Sequence, residues 1–337
     1  MRRTTTIDNG RRRGNWIVGT RLFVGVLVAA ALLVLWLLLL VSFGGGTSAS
    51  YTGAITTGAD GNLWSANDEG LARITPTGRI TTYHRAHPDE FGITAGPDGN
   101  LWYSGLRGVG RVTPTGDMTT FPDQDGCWLS EDTTFGFGGV VTGPDGNLWY
   151  TACDGLHRMT PTGEVTIVGG DGGNCAGGLT TAPDGSFWLT TDQEIEHIAP
   201  TGQATSFYDA DNSPCGAITT GPDGNLWYVR PYGIGRITPA GVHTTFGKHL
   251  EPNSVTAGPD GNLWFTANHS TDEPPWTDYD NVIGRITPTG AITTFTSRDL
   301  HRPDHITTGP DGNLWFTSNN GIGRITTTGK IRMFSHR

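Results

Sequence analysis

The stretch Ile306-Thr307-Thr308-Gly309-Pro310-Asp311-Gly312-Asn313-Leu314-Trp315 has six close copies upstream, ending at Trp64, Trp102, Trp149, Trp188, Trp227 and Trp264. Repetition of this kind decides the architecture before any other signal is weighed. In each copy a β-branched run enters a turn, Pro-Asp-Gly-Asn in most copies, where glycine supplies the positive φ. The chain leaves through Leu-Trp and further apolar residues, which makes a hairpin. A second hairpin follows most copies, as in residues 283–287, the turn Pro288-Thr289-Gly290 and residues 291–295, with apolar and polar residues roughly alternating. Each unit therefore predicts a four-stranded antiparallel meander.

Successive motif tryptophans lie 37 to 51 residues apart, near the roughly 40 to 50 residues of a propeller blade. Seven units predict an all-β, seven-bladed β-propeller over residues 51–337. Closing the ring hides the faces of each small sheet and leaves only short edges. Residues 330–334 complete the last blade and residues 55–83 the first. The ring should thus close without a strand borrowed from the other terminus.

The first 21 residues carry six arginines against Asp8 and lead into residues 22–43, an uncharged apolar run of 22 residues. That run is long enough to span a bilayer and longer than the roughly 7 to 15 residues of a cleavable signal's core. The expectation is an uncleaved transmembrane signal anchor at 22–43. No basic residue follows it until Arg73, so the positive-inside bias puts the basic residues 1–21 in the cytoplasm. Residues 44–50 read as a flexible Gly/Ser linker. The propeller is then extracytoplasmic at the cytoplasmic membrane, or secreted should Thr47-Ser48-Ala49-Ser50 serve as a cleavage site. The whole chain carries a net charge of -10, and its first 43 residues contribute +5, leaving -15 on the rest. An acidic body disfavours nucleic-acid backbones and anionic lipid surfaces. No nucleic-acid partner is expected, and a monomer is.

Cys127, Cys153, Cys175 and Cys215 match no zinc ribbon or finger spacing, and disulfides persist outside the cytoplasm. Of the three pairings, Cys127 with Cys153 and Cys175 with Cys215 would tie neighbouring loops. Other pairings and free thiols stay open.

The repeated GPDGNLWFT, followed by IGRITPTG and ITTF, resembles the streptogramin B (virginiamycin B) lyase family over about residues 51–335. The resemblance implies a seven-bladed propeller, and it implies an activity: opening a cyclic depsipeptide by elimination. That chemistry uses a base and a divalent cation such as Mg2+. It places a histidine in a Pro-His-x-Ile pattern in the last blade, a second histidine at the matching place one blade earlier, and a glutamate after Trp-Phe-Thr. Here those places hold Asp304, Asn253 and Ser318. His305 is one residue out of register, and adjacent strand side chains point to opposite faces. It could substitute only where a bulge re-aims it.

What repeats sevenfold is read as frame. Burying ~150 to 250 Å² per tryptophan at ~25 cal/mol/Å² stabilises by ~4 to 6 kcal/mol, an upper bound, so the motif tryptophans are expected in the core between blades. The motif aspartates read as turn formers, and the recurring arginines as packing or ion-pairing groups. The Asp-Gly-Asn and Pro-Thr-Gly turns share one rim. The other rim carries the variable segments, where rigid scaffolds usually hold binding residues. Its candidates are Trp128, Trp276, Tyr208 and Arg230, with Asp304 and His305.

Two functions follow. One is a binding propeller whose loop-bearing rim takes a small molecule, peptide or glycan, with no cofactor firmly implied. The alternative is an active lyase with rearranged catalytic residues and Mg2+. A histidine and a carboxylate converging over the central channel would favour the enzyme.

Overall fold

The computed structural model describes residues 53–67, 70–83, 90–105, 108–122, 139–152, 155–169, 177–191, 194–209, 216–269 and 281–334. The expected anchor and linker, the four cysteines, Trp128 and Trp276 lie outside these residues. Among the described residues the chain forms seven four-stranded antiparallel sheets, each built from consecutive strands. The first blade runs from Ile55–Thr57 to Ile80–Tyr83 and the last from Pro303–Thr308 to Ile331–Phe334. No outer strand is exchanged between the ends.

The motif turn works as a local clamp. Asp311 Oδ1 accepts from the backbone N–H of Asn313 at 3.2 Å and from the indole N–H of Trp315 at 2.9 Å. The same indole bond recurs at Trp64, Trp102, Trp149, Trp227 and Trp264. In blade 4 Asp184 instead accepts from the Ser186 hydroxyl at 2.6 Å. Gly312 takes φ +70, which a side chain would resist.

The tryptophans are core, as the repetition required. Trp102, Trp227, Trp264 and Trp315 are fully buried. In six blades the indole stacks on the aromatic ring of its own outer strand at 5.3 to 5.5 Å, as with Trp315 and Phe334. The repeated arginine covers the pair: Arg324 stands 5.6 Å from the Trp315 ring and 3.2 Å from the Asp311 carboxylate. The next blade's Pro-Thr-Gly turn presses on the same aromatic. A Cβ on Gly78 would sit 2.0 Å from Phe334, and its φ is +92.

Neighbouring inner strands are joined by a repeated threonine bond. Thr308 Oγ1 donates to the Ala257 carbonyl at 2.7 Å, and across the ring closure Thr57 Oγ1 donates to the Thr308 carbonyl at 2.9 Å. Ile55, Leu63, Ile74, Trp315, Ile322 and Phe334 form one apolar cluster over that closure.

These clamps make stability acid-sensitive. Partial burial pushes the Asp60, Asp98, Asp145, Asp223, Asp260 and Asp311 carboxyls up, but hydrogen bonds from the following Asn and the Trp outweigh it. All six end below the ordinary carboxylate value. At Asp184 the bonds from Ser186 lead, and its carboxyl is lowered too. A carboxyl depressed in the folded state stabilises it above the unfolded value of about 3.9, and that contribution is lost as pH falls through the folded value. The melting temperature should therefore drop continuously on acidification below about pH 4. Calorimetry showing the same Tm at pH 5 and pH 2.5 would contradict this account.

Candidate functional site

The inner strands surround an axial cavity of ≈ 520 Å³. Their lining is uneven. The inner strands of blades 3, 4 and 5 bring Gly139, Gly177, Gly178 and Gly216 to it, whereas blades 6 and 7 bring Asn253 and His305. His305 is the one titratable side chain on that wall among the described residues.

His305 reaches the cavity because its strand is bulged. Pro303 pairs with Ser318 and Ile306 with Phe316, so three steps on the inner strand oppose two on the second. One residue is extra, and the alternation that put His305 out of register is broken. Blade 6 has the same irregularity between Pro252 and Ser254. The bulge is held from the side by blade 6. Asn253 Nδ2 donates to the Pro303 carbonyl at 2.8 Å, the Thr266 hydroxyl donates to the Asp304 carbonyl, and the Ile306 N–H donates to Ser254 Oγ at 3.3 Å. Within blade 7 the His305 N–H donates to Thr317 Oγ1 at 3.0 Å.

His305 Nε2 lies 3.9 Å from Asp304 Oδ2, with both side chains about one-third exposed. Burial pushes the Asp304 carboxyl above its ordinary value, and the neighbouring His305 pulls it partly back. The carboxylate thus lies beside a histidine that lines the channel, and Asp304 is not itself among the cavity's lining residues.

Ser318 is different. It closes the second strand of blade 7, is fully buried, and points its hydroxyl at the His301 carbonyl and at Asn320 Oδ1, 2.8 Å away. It belongs to the frame that pins the incoming crossover, together with Asn319 N–H donating to the His301 carbonyl at 3.0 Å and Asn320 Nδ2 donating to the Asp299 carbonyl at 2.9 Å.

Tyr208 ends the outer strand Ala204–Tyr208 of blade 4 and is 67% exposed. Arg230 is 4% exposed and is committed inward. Its Nη2 donates to Asp209 Oδ1 at 3.0 Å and its Nη1 to Thr245. Tyr228 OH donates to Asp209 Oδ2 at 2.9 Å, so at 3.0 Å it accepts from His243 Nδ1–H. Burial, then the Asp209 charge, pushes the Tyr228 phenol far up. The ring crosses the third strand over Gly235, where a Cβ would lie 2.2 Å away. A charge at the end of one second strand, opposite a tyrosine–glycine pair, was the readable trace of this network.

These features define a class: a closed seven-bladed propeller whose axial cavity is lined by glycines and apolar residues at blades 3 to 5 and takes its amide and imidazole groups from blades 6 and 7. The profile of the Virginiamycin B lyase family matches residues 40–168, 128–273 and 168–336. The chain belongs to the virginiamycin B lyase family. A streptogramin B lyase structure is similar over 86% of this chain and 95% of that one, at 24% identity and TM-score 0.68, a likeness of fold. A catalytically inactive histidine-to-alanine variant of virginiamycin B lyase from Staphylococcus aureus, with quinupristin, is 25% identical over 82% of this chain and 94% of that one, TM-score 0.64. The selenomethionine form of the Staphylococcus aureus enzyme gives 25%, 82%, 93% and 0.65. No curated protein sequence matches the chain.

Proposed function

We propose that the chain is a membrane-anchored, extracytoplasmic binding propeller of the lyase family, taking a small-molecule or peptide ligand at the mouth of the axial cavity. The apolar run at 22–43 and the basic residues before it support the anchoring. One observation carries the loss of catalysis. Ser318, where the resemblance places the cation-holding glutamate, is a buried hydroxyl satisfied within the protein. Among the described residues no three His, Cys, Asp or Glu side chains gather closely enough to hold a metal ion. With a hydroxyl in place of that glutamate, the position offers no carboxylate to hold Mg2+.

The second reading, an active lyase with rearranged groups, is favoured by the bulge that turns His305 to the channel beside Asp304. One assay separates the two. The full chain is incubated with a streptogramin B and Mg2+, and mass and absorbance are followed. The expected result is an intact ring at the rate of a protein-free control. Ring opening that disappears in His305→Ala or Asp304→Ala would establish the enzyme instead.

A further inference from the structure

The amide and imidazole side chains lining the axial cavity, Asn253 and His305, come from two adjacent blades, and blades 3 to 5 bring glycines and apolar residues such as Val140, Leu179 and Ile218. The Gly139 N–H donates to the Gly177 carbonyl at 3.3 Å, and the Gly178 N–H to the Gly216 carbonyl at 3.0 Å. A Cβ on Gly178 would fall 2.7 Å from the Ile218 nitrogen. Blades 3, 4 and 5 thus meet main chain to main chain, leaving a smooth wall with its amides already used.

Across the cavity two acceptors have no donor among the described residues, Asn253 Oδ1 and the Asp304 carboxylate. One N–H of the Asn253 amide goes to the Pro303 carbonyl, which fixes the nitrogen on that side and leaves Oδ1 without a donor among the described residues. Among the described residues the only partner of the Asp304 carboxylate is His305, at 3.9 Å, too long for a hydrogen bond. A half-buried carboxylate lacking donors is costly, and a ligand that brings one relieves the cost. Charge sets the sign. With Asp304 ionised, the Asp304–His305 pair sums to zero or to -1 in either state of the imidazole, so an anion gains nothing there.

We propose that blades 6 and 7 form a subsite for a protonated amine, with Asp304 as counter-ion and Asn253 Oδ1 as a further acceptor. The smooth wall of blades 3 to 5 receives the apolar remainder of the ligand. This deepens the binding reading of the axial mouth and rests on it, but it does not depend on whether a depsipeptide is opened.

The test uses benzylamine and sodium benzoate as probes of matched shape and opposite charge, titrated into the full chain by calorimetry and ligand-observed NMR. Benzylamine should bind and benzoate should not. Asp304→Asn, which keeps shape and removes charge, should weaken benzylamine at least about tenfold, equivalent to about 1.4 kcal/mol, with circular dichroism unchanged. Asn253→Ala should weaken it less. Benzoate binding as well as benzylamine, benzylamine binding indifferent to Asp304→Asn, or no binding of either probe would each overturn the subsite. Ring opening of a streptogramin would overturn the non-catalytic reading alone and leave this result standing.

Discussion

Replacing Asp209 by Ala should lower the unfolding free energy by about 3 to 5 kcal/mol, the range for removing one partner of a buried ion pair. Arg230 is 4% exposed and its Nε has no acceptor among the described residues. The Asp209 contact at 3.0 Å is therefore its only counter-charge among the described residues. Without it the guanidinium stays desolvated and uncompensated, and the Tyr228 hydroxyl loses the acceptor it meets at 2.9 Å. Replacing both ions, as in Asp209→Ala with Arg230→Met, should cost less than Asp209→Ala alone, because no charge is then stranded. Urea unfolding followed by tryptophan fluorescence measures all three chains. A single substitution costing under about 1 kcal/mol, as exposed pairs do, would show that water reaches the pair.

The second large effect is expected at Trp264, where an alanine should cost about 3 to 5 kcal/mol through lost burial and the cavity left behind. The indole is fully buried, stacks on Phe295 at 5.5 Å, lies 5.7 Å from Arg285 and donates to Asp260 at 3.0 Å. Trp264→Phe keeps a ring and loses the donor, so its loss should be distinctly smaller. Equal losses for the two variants would mean that the indole–Asp260 bond, and not packing, holds the blade.

The architecture was legible because its determinants are local and repeated. The turn, the indole that bonds back to it and the aromatic stacked beneath all fall within one unit, so Ile306 to Phe334 states a whole blade in order. The site was legible only to the level of residue identity. Strict alternation faced His305 away from the channel. The hydroxyls of Ser254 and Thr266, contributed from another blade, hold the bulge that brings it round. Contacts 38 and 52 residues apart in sequence leave no periodic trace. Arg230 misled for a related reason. Its place at the end of a second strand suggested the rim, but its charge is answered by Asp209, which lies beyond the preceding outer strand.

The threonine linking the first and last blades makes the same bond as those joining blades 2 and 3, 4 and 5, and 6 and 7: Thr57 to Thr308 at 2.9 Å, Thr142 to Ala95 at 2.6 Å, Thr220 to Thr181 at 2.9 Å, Thr308 to Ala257 at 2.7 Å. The hoop thus has no clasp. Any of the other crossovers could serve as the origin of an equally sound wheel.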